Sequence, residues 1–283
     1  METKRLEALS RQPMHVAALG WVDGKCFTAR ANYVRLEVRD EAGQLRLEHD
    51  TWRTDDWLLR EMRFAGAHLI SAIGDIFASG LRIWDVKRSV EASRVDGSWQ
   101  HEGDVVLWAD PVQPRALVRY RAGVAMLDAA AFAFTRAASC DPDASSVTYD
   151  PLLDRLASGE GFGPAQLTLH EFGRRVLRTC SLGEGEVEDL LFARNGCYLA
   201  VKQVGGTVVV RDTETLEVRW ESTSERILAA SPCGRWLALD RALVDLHSFS
   251  AVPLPPADGA LFDPRRGELV LADRKHTWRV PLP

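Results

Sequence analysis

Seven times along this chain, an apolar run ends in a polar pair and breaks into a turn. The clearest cases are Leu81-Arg82-Ile83-Trp84-Asp85-Val86 and Val208-Val209-Val210-Arg211-Asp212-Thr213. A second marker sets the period. An aromatic residue followed by a Pro- or Gly-bearing turn and a β-rich run occurs at Trp21, Phe64, Trp108, Tyr149, Phe192 and Phe262, with Ala230 in the equivalent place. The steps between these anchors are 43, 44, 41, 43, 38 and 32 residues.

The segments around the anchors repeat in kind. Phe262-Asp263-Pro264-Arg265-Arg266-Gly267 parallels Tyr149-Asp150-Pro151-Leu152-Leu153-Asp154 and Phe192-Ala193-Arg194-Asn195-Gly196. Pro presets φ for such a turn, and Gly, Asn or Asp tolerates the positive φ that leaves it. A short apolar strand follows each turn, such as Tyr198-Leu199-Ala200-Val201 or Trp236-Leu237-Ala238-Leu239. Ahead of the anchors, Val16, Leu19 and Trp21 match Leu59, Met62 and Phe64, and Val187, Leu190 and Phe192, which reads as a lead-in strand. Alanines at 126–137 favour helix by propensity, but the repeat phase predicts a strand hairpin there.

Each unit therefore reads as four short strands over ~40 residues, the period of a β-propeller blade. One blade cannot bury both faces, so neighbours must stack around an axis. The expected fold is all-β, a single propeller domain over residues 1–283 with seven four-stranded antiparallel blades at 14–56, 57–100, 101–142, 143–183, 184–222, 223–254 and 255–283 plus 1–13. Six or eight blades are the alternatives, because the last two units are the shortest. The seventh unit runs out at Trp278-Arg279-Val280-Pro281-Leu282-Pro283, and Lys4-Arg5-Leu6-Glu7-Ala8-Leu9 is expected to supply its outer strand.

Composition excludes several function classes. A net charge of −5 and a pI near 5.8 speak against nucleic-acid binding, which relies on clustered cations. Lys occurs only at 4, 25, 87, 202 and 275; this Arg-for-Lys skew, with abundant Ala, suggests a GC-rich and bacterial coding genome. The charged N-terminus lacks an apolar core segment, so no secretory signal is expected. No run reaches the ~18 apolar residues of a membrane span. Cys26, Cys140, Cys180, Cys197 and Cys233 form an odd set without C-x-x-C, which predicts reduced thiols in the cytoplasm. Cys26, Cys197 and Cys233 are expected to be small core residues.

Through Ile83-Trp84-Asp85, Val210-Arg211-Asp212, Phe192-Ala193-Arg194-Asn195-Gly196 and Ser231-Pro232-Cys233-Gly234, the chain resembles the WD-repeat and WD-like propellers. The resemblance spans nearly the whole chain and concerns architecture alone. Only one Trp-Asp pair is present and no Gly-His pair opens a blade, so the side-chain network that those pairs support in the family is not expected. The other aligned pairs are Arg39-Asp40, Leu127-Asp128, His170-Glu171, Arg211-Asp212, Asp245-Leu246 and Trp278-Arg279. The resemblance implies a platform for several partners, the commonest use of such rings.

No motif for a nucleophile elbow, zinc protease, phosphate loop or calcium loop is present. His170-Glu171 lacks the second His of a zinc motif and reads as a strand end. Ser158-Gly159-Glu160-Gly161-Phe162-Gly163-Pro164 could cradle an anion, but Glu160 would repel phosphate, and a hairpin turn between second and third strands explains it. Trp84 is expected to pack between blades, with Asp85 capping the next turn. The candidate partner-binding patch is Trp52, Arg53, Asp55, Asp56 and Trp57, in the connection between the first two units, with Trp99 in the next connection and Trp220 in a later one. Trp and Arg dominate binding hot spots, although a Trp at a blade edge also seals neighbouring blades.

The expected function is a non-enzymatic, cytoplasmic protein-interaction scaffold, monomeric, with protein partners, no cofactor, no catalytic or metal-binding residue, and no nucleic-acid or membrane partner. The alternatives are a metal-dependent hydrolase or lactonase with its site at a channel mouth, and a small-ligand or glycan sensor. Fold alone does not choose among them.

Overall fold

The seven anchors share one structural position. Each lies on the first strand of an antiparallel sheet and pairs with the second: Trp21 with Cys26, Phe64 with Leu69, Trp108 with Leu117, Tyr149 with Leu156, Phe192 with Leu199, Ala230 with Leu237 and Phe262 with Leu269. The computed structural model describes residues 15–32, 35–50, 59–74, 79–97, 106–120, 123–139, 144–160, 164–263, 265–273 and 276–283.

Blade one comprises β1 (His15–Val22), β2 (Lys25–Ala31), β3 (Arg35–Asp40) and β4 (Leu45–Asp50). Blade two has β5 (Leu59–Ala65), β6 (His68–Gly74), β7 (Ser79–Asp85) and β8 (Val90–Gly97). Blade three has β9 (Val106–Ala109), β10 (Arg115–Tyr120), β11 (Gly123–Asp128) and β12 (Ala133–Ser139). Blade four has β13 (Ala144–Asp150), β14 (Arg155–Glu160), β15 (Pro164–Glu171) and β16 (Val176–Glu184). Blade five has β17 (Val187–Ala193), β18 (Tyr198–Gln203), β19 (Val208–Asp212) and β20 (Val218–Ser222). Blade six has β21 (Ile227–Ala230), β22 (Trp236–Leu239), β23 (Ala242–Asp245) and β24 (Ser250–Pro253). Blade seven has β25 (Gly259–Asp263), β26 (Glu268–Ala272) and β27 (Thr277–Pro281).

The chain is thus an all-β propeller fold of seven consecutive antiparallel blades, as the repeat predicts, rather than six or eight. Six blades have four strands, and the seventh has three among the described residues. The expected outer strand from residues 1–13 lies outside those residues. The alanine-rich stretch at 126–137 is a hairpin, in which β11 pairs with β10 and β12 adds to the other edge of β11.

Contacts divide the chain into two compact units, Met1–Ala137 and Ala138–Pro283. Within the first, the innermost strands β1, β5 and β9 touch in succession; within the second, β13, β17, β21 and β25 do so. Period-two alternation explains the packing. In blade two, Leu69 and Trp84 join a core with Phe27, Leu36 and Val38 of blade one. The adjoining Ile70 and Ile83 instead face Val106, Ala116 and Leu127 of blade three. Blade five divides likewise: Leu199 and Val201 face blade four, whereas Ala200 and Val210 face blade six. The central parts of β6 and β18 are buried on both faces, which is why Leu69-Ile70 and Leu199-Ala200-Val201 read as continuous apolar runs. Burying one Leu or Ile contributes roughly 1.5–3 kcal/mol before the cost of ordering it.

Trp84 sits between blades one and two, as expected. Its indole N–H also donates to Ser71 Oγ at 2.9 Å, a polar tie not anticipated from the sequence. Its ring lies 4.8 Å from that of His49, and Arg82 bridges His49 and Glu91 at 3.1 and 2.8 Å.

Asp85 caps its turn by accepting the Arg88 N–H at 3.0 Å. Several turn aspartates do more: one carboxylate oxygen takes turn N–H groups and the other takes an arginine. Asp40 holds Ala42 and Gln44 with one oxygen and Arg46 with the other; Asp110 holds Val112, Gln113 and Arg115; Asp212 holds Glu214, Thr215 and Arg219.

The aligned pairs of the last two blades need correcting. Asp245, not Leu246, ends β23, and β27 ends at Val280-Pro281, since pairing with Trp236 and Glu268 sets the register. The thiol assignment also changes. Cys26 is buried, but Cys197 and Cys233 are exposed, because both lie in turns after the first strand rather than on a strand face.

Candidate functional site

Antiparallel order gives each blade two distinct ends. Turns between first and second and between third and fourth strands share one end; the other carries the second hairpin and the linker to the next blade. Trp52, Arg53, Asp55, Asp56 and Trp57 belong to the β4–β5 linker and Trp99 to the β8–β9 linker, and all six lie outside the described residues. Trp220 is not in a connection. It lies within β20, pairs with Val210 and packs half-buried against the core between blades five and six.

The linker end of blades six and seven forms an open cleft of about 580 Å³. Glu225 and Arg226 come from the β20–β21 linker, Asp240 and Arg241 from the β22–β23 turn, Asp258 from the β24–β25 linker, and Asp273 from the end of β26. Buried Asp240 organises the cleft: its Oδ1 accepts the N–H groups of Glu225 at 3.1 Å and Arg226 at 3.3 Å. Its own backbone donates to the Arg226 carbonyl and accepts from Ala257, so one residue ties the linkers entering and leaving blade six. Arg226 spans to the next blade, donating to Asp258 Oδ1 at 3.4 Å and to its carbonyl at 3.2 Å. Arg241 stands 3.7 Å from Asp240 and is largely exposed. Asp273 accepts the His276 N–H at 2.6 Å.

Four carboxylates and two guanidiniums thus line one open space, with Pro256 and Ala257 as the apolar part of its wall. Such a lining can exchange hydrogen bonds and ion pairs with a charged macromolecular surface. Among the described residues, no three or more His, Cys, Asp or Glu side chains are grouped to hold a metal ion.

Two further groups invite a catalytic interpretation. Ser158 Oγ and His170 Nε2 are 3.2 Å apart, which resembles a nucleophile and its base. However, Ser158 is only 1% exposed, so a substrate cannot reach it. The pair occupies the same register positions as Ser71 and Trp84, because His170 pairs with Leu156 as Trp84 pairs with Leu69. It is a strut between strands, and burial lowers the His170 pKa. His170-Glu171 ends β15, as expected; Ser158, Gly159 and Glu160 belong to β14 and Pro164 opens β15, while residues 161–163 of the expected hairpin turn lie outside the described residues. His68 has a buried Nδ1 without a hydrogen-bond partner; burial lowers its pKa, with Asp85 and Asp128 opposing that shift.

No protein-family model matches the chain, and no curated protein matches it in sequence.

Proposed function

We propose that this chain is a protein-interaction scaffold built on a WD-like propeller. The observation that carries the reading is the contrast between uniform blade cores and differently equipped blade ends. The anchor pairing is the same in every blade, while the ends range from the charged cleft of blades six and seven to the turn end of blade three, where Val112 and Phe132 are exposed. A rigid frame with varied short ends suits several protein contacts at once. Cys26, Cys180, Cys197 and Cys233 are in no disulfide, which agrees with a cytoplasmic setting, and a monomer is part of the proposal. Among the described residues, no helix is long and apolar enough to cross a membrane.

The test is affinity capture of the full chain from its own cells, followed by reconstitution with each purified candidate. Reproducible binding of at least one protein is expected. Failure of every candidate to bind, together with measurable turnover of a hydrolase or lactonase substrate, would sink the proposal. A metal-dependent hydrolase is the alternative reading, for which the four carboxylates of the cleft are not grouped as metal ligands would be. Elemental analysis of the purified chain separates the two, since one tightly held divalent ion per chain supports the hydrolase.

A further inference from the structure

We infer that Arg194, Tyr198 and His247, at the turn end of blades five and six, form a binding site for the terminal oxygens of a phosphate group. The site is separate from the charged cleft, which lies at the linker end, and it does not depend on the scaffold reading.

Proton placement is the first observation. Arg194 comes from the β17–β18 turn of blade five and His247 from the β23–β24 turn of blade six, while Tyr198 opens β18. A guanidinium only donates. Arg194 Nη1 donates to the Tyr198 hydroxyl oxygen at 2.9 Å, and Nη2 meets His247 Nδ1 at 3.3 Å. Nδ1 therefore accepts, which puts the proton of a neutral imidazole on Nε2. The Tyr198 hydroxyl accepts from arginine and keeps its own proton to donate. Neither side chain makes another hydrogen bond among the described residues. All three groups thus offer donors, within one hydrogen bond of a single guanidinium, and His247 is exposed.

Charge is the second observation. Arginines beside other turns meet a carboxylate: Arg46 meets Asp40, Arg115 meets Asp110, Arg219 meets Asp212 and Arg235 meets Asp245. Arg194 pairs with no carboxylate among the described residues. The acids on neighbouring turns leave its charge uncompensated. Asp245 gives one oxygen to Arg235 and the other to the His247 N–H, and Asp150 of blade four accepts the Leu152 and Leu153 N–H groups. Glu214 and Glu217, between β19 and β20, are in no ion pair, so neither reaches Arg194.

The support is fixed before any ligand arrives. The guanidinium lies 5.3 Å from the centre of the Tyr198 ring, that ring meets Phe249 edge-on at 5.4 Å, and both rings pack on the core between blades five and six. Holding an arginine in place lowers the ordering cost of binding. The anion follows from the donor set. A carboxylate has two oxygens, which the fork of one guanidinium already satisfies. A phosphate monoester presents three, with close to two charges, and suits donors from three side chains.

The test follows the His247 ring nitrogens of the full chain by NMR at about pH 8, where imidazole is ordinarily neutral. Inorganic phosphate, O-phosphoserine, acetate and chloride are titrated at matched ionic strength. The Nε2–H tautomer is expected before any anion is added. Both phosphates should then give a saturable shift, acetate should bind about tenfold more weakly, and chloride should give no saturable shift. Arg194→Gln should weaken phosphate binding about tenfold or more. Tyr198→Phe keeps the ring, should also weaken binding, and decides the matter if Arg194→Gln does not fold. Arg174→Gln, whose arginine already pairs with Glu171 on blade four, should leave affinity unchanged. Tighter binding of O-phosphoserine than of inorganic phosphate supports a phosphorylated ligand, and the reverse supports free phosphate. An Nδ1–H tautomer, equal affinity for acetate, the same shift with chloride, or phosphate affinity unmoved by both variants overturns the site. So does a lower melting temperature in Arg194→Gln with no phosphate-dependent shift in the wild type, the mark of a strut between blades.

Discussion

Arg235 and Asp245 meet across the β22–β23 hairpin through two hydrogen bonds to one carboxylate oxygen, from Nε at 3.0 Å and Nη2 at 2.8 Å. The other oxygen accepts the His247 N–H at 2.8 Å, so a single carboxylate closes a turn and pins a strand. The Arg235 guanidinium also lies 4.5 Å from the centre of the Trp236 ring. This pattern has a measurable consequence in acid. The Arg235 hydrogen bond chiefly holds the Asp245 pKa below its usual value of 3.8 against the opposing effect of burial. At Asp40 and Asp212 burial is the largest influence and raises the pKa, but arginine and turn N–H groups together outweigh it and the net shift is downward. A carboxylate with a lowered folded pKa stabilises the fold above its unfolded pKa, and that stability is lost as pH falls through the folded value. Thermal stability should therefore hold from neutral pH to about pH 5 and drop below about pH 4. Asp245→Asn should be less stable at neutral pH and show a shallower acid drop, by thermal melts across pH; a parallel curve would refute the assignment.

Ser71→Ala should be costlier than its size suggests. It leaves the Trp84 indole N–H buried without its acceptor, at about 1–3 kcal/mol in denaturant unfolding. Ser158→Ala should cost less, because His170 is only partly buried.

Gly196→Ala and Gly205→Ala separate backbone strain from crowding. Gly196 has φ of 79°, and a Cβ there would collide with the Asp150 carboxylate of the preceding blade. Gly205 has φ of 68° with nothing within 4 Å. The second change should cost about 1 kcal/mol, from strain alone, and the first about 2–4 kcal/mol. Equal costs would remove the packing contact from the account.

Native alkylation should label Cys197 and Cys233 quickly and Cys26 only after unfolding, since the first two are exposed and the third is buried. Cys180 should react slowly, because burial raises its thiol pKa despite the nearby Arg211. Peptide mapping after a timed exposure reads all four directly; rapid labelling of Cys26 would contradict its placement.

Much of the fold was legible because a blade is a local object. Its strands are consecutive, so the Phe64 and Phe192 anchors, the turn after each, and the strand beginning at His68 or Tyr198 follow one another within a few residues. That locality carried the alanine-rich β11–β12 hairpin past its helical propensity. It failed where strands are shortest: the ends of β23 and β27 are set by pairing with β22 and β26, and residue types alone do not reveal that register. The candidate site was less legible. Trp220 looked like a linker residue until β20 was seen to include it, and the cleft of blades six and seven escaped notice because its residues lie in separate linkers and turns.

Periodicity alone was sufficient for the all-β class, seven blades and the anchor position, since alternation and turn chemistry act over neighbouring residues. Tertiary structure alone decided which face each apolar residue joins, which aspartates gain an arginine, and that Ser158 and His170 form a strut. It also decided that Cys197, Cys233 and Phe132 meet solvent. These outcomes depend on groups brought together from different strands and blades, and burial is a property of that assembly rather than of any residue within it.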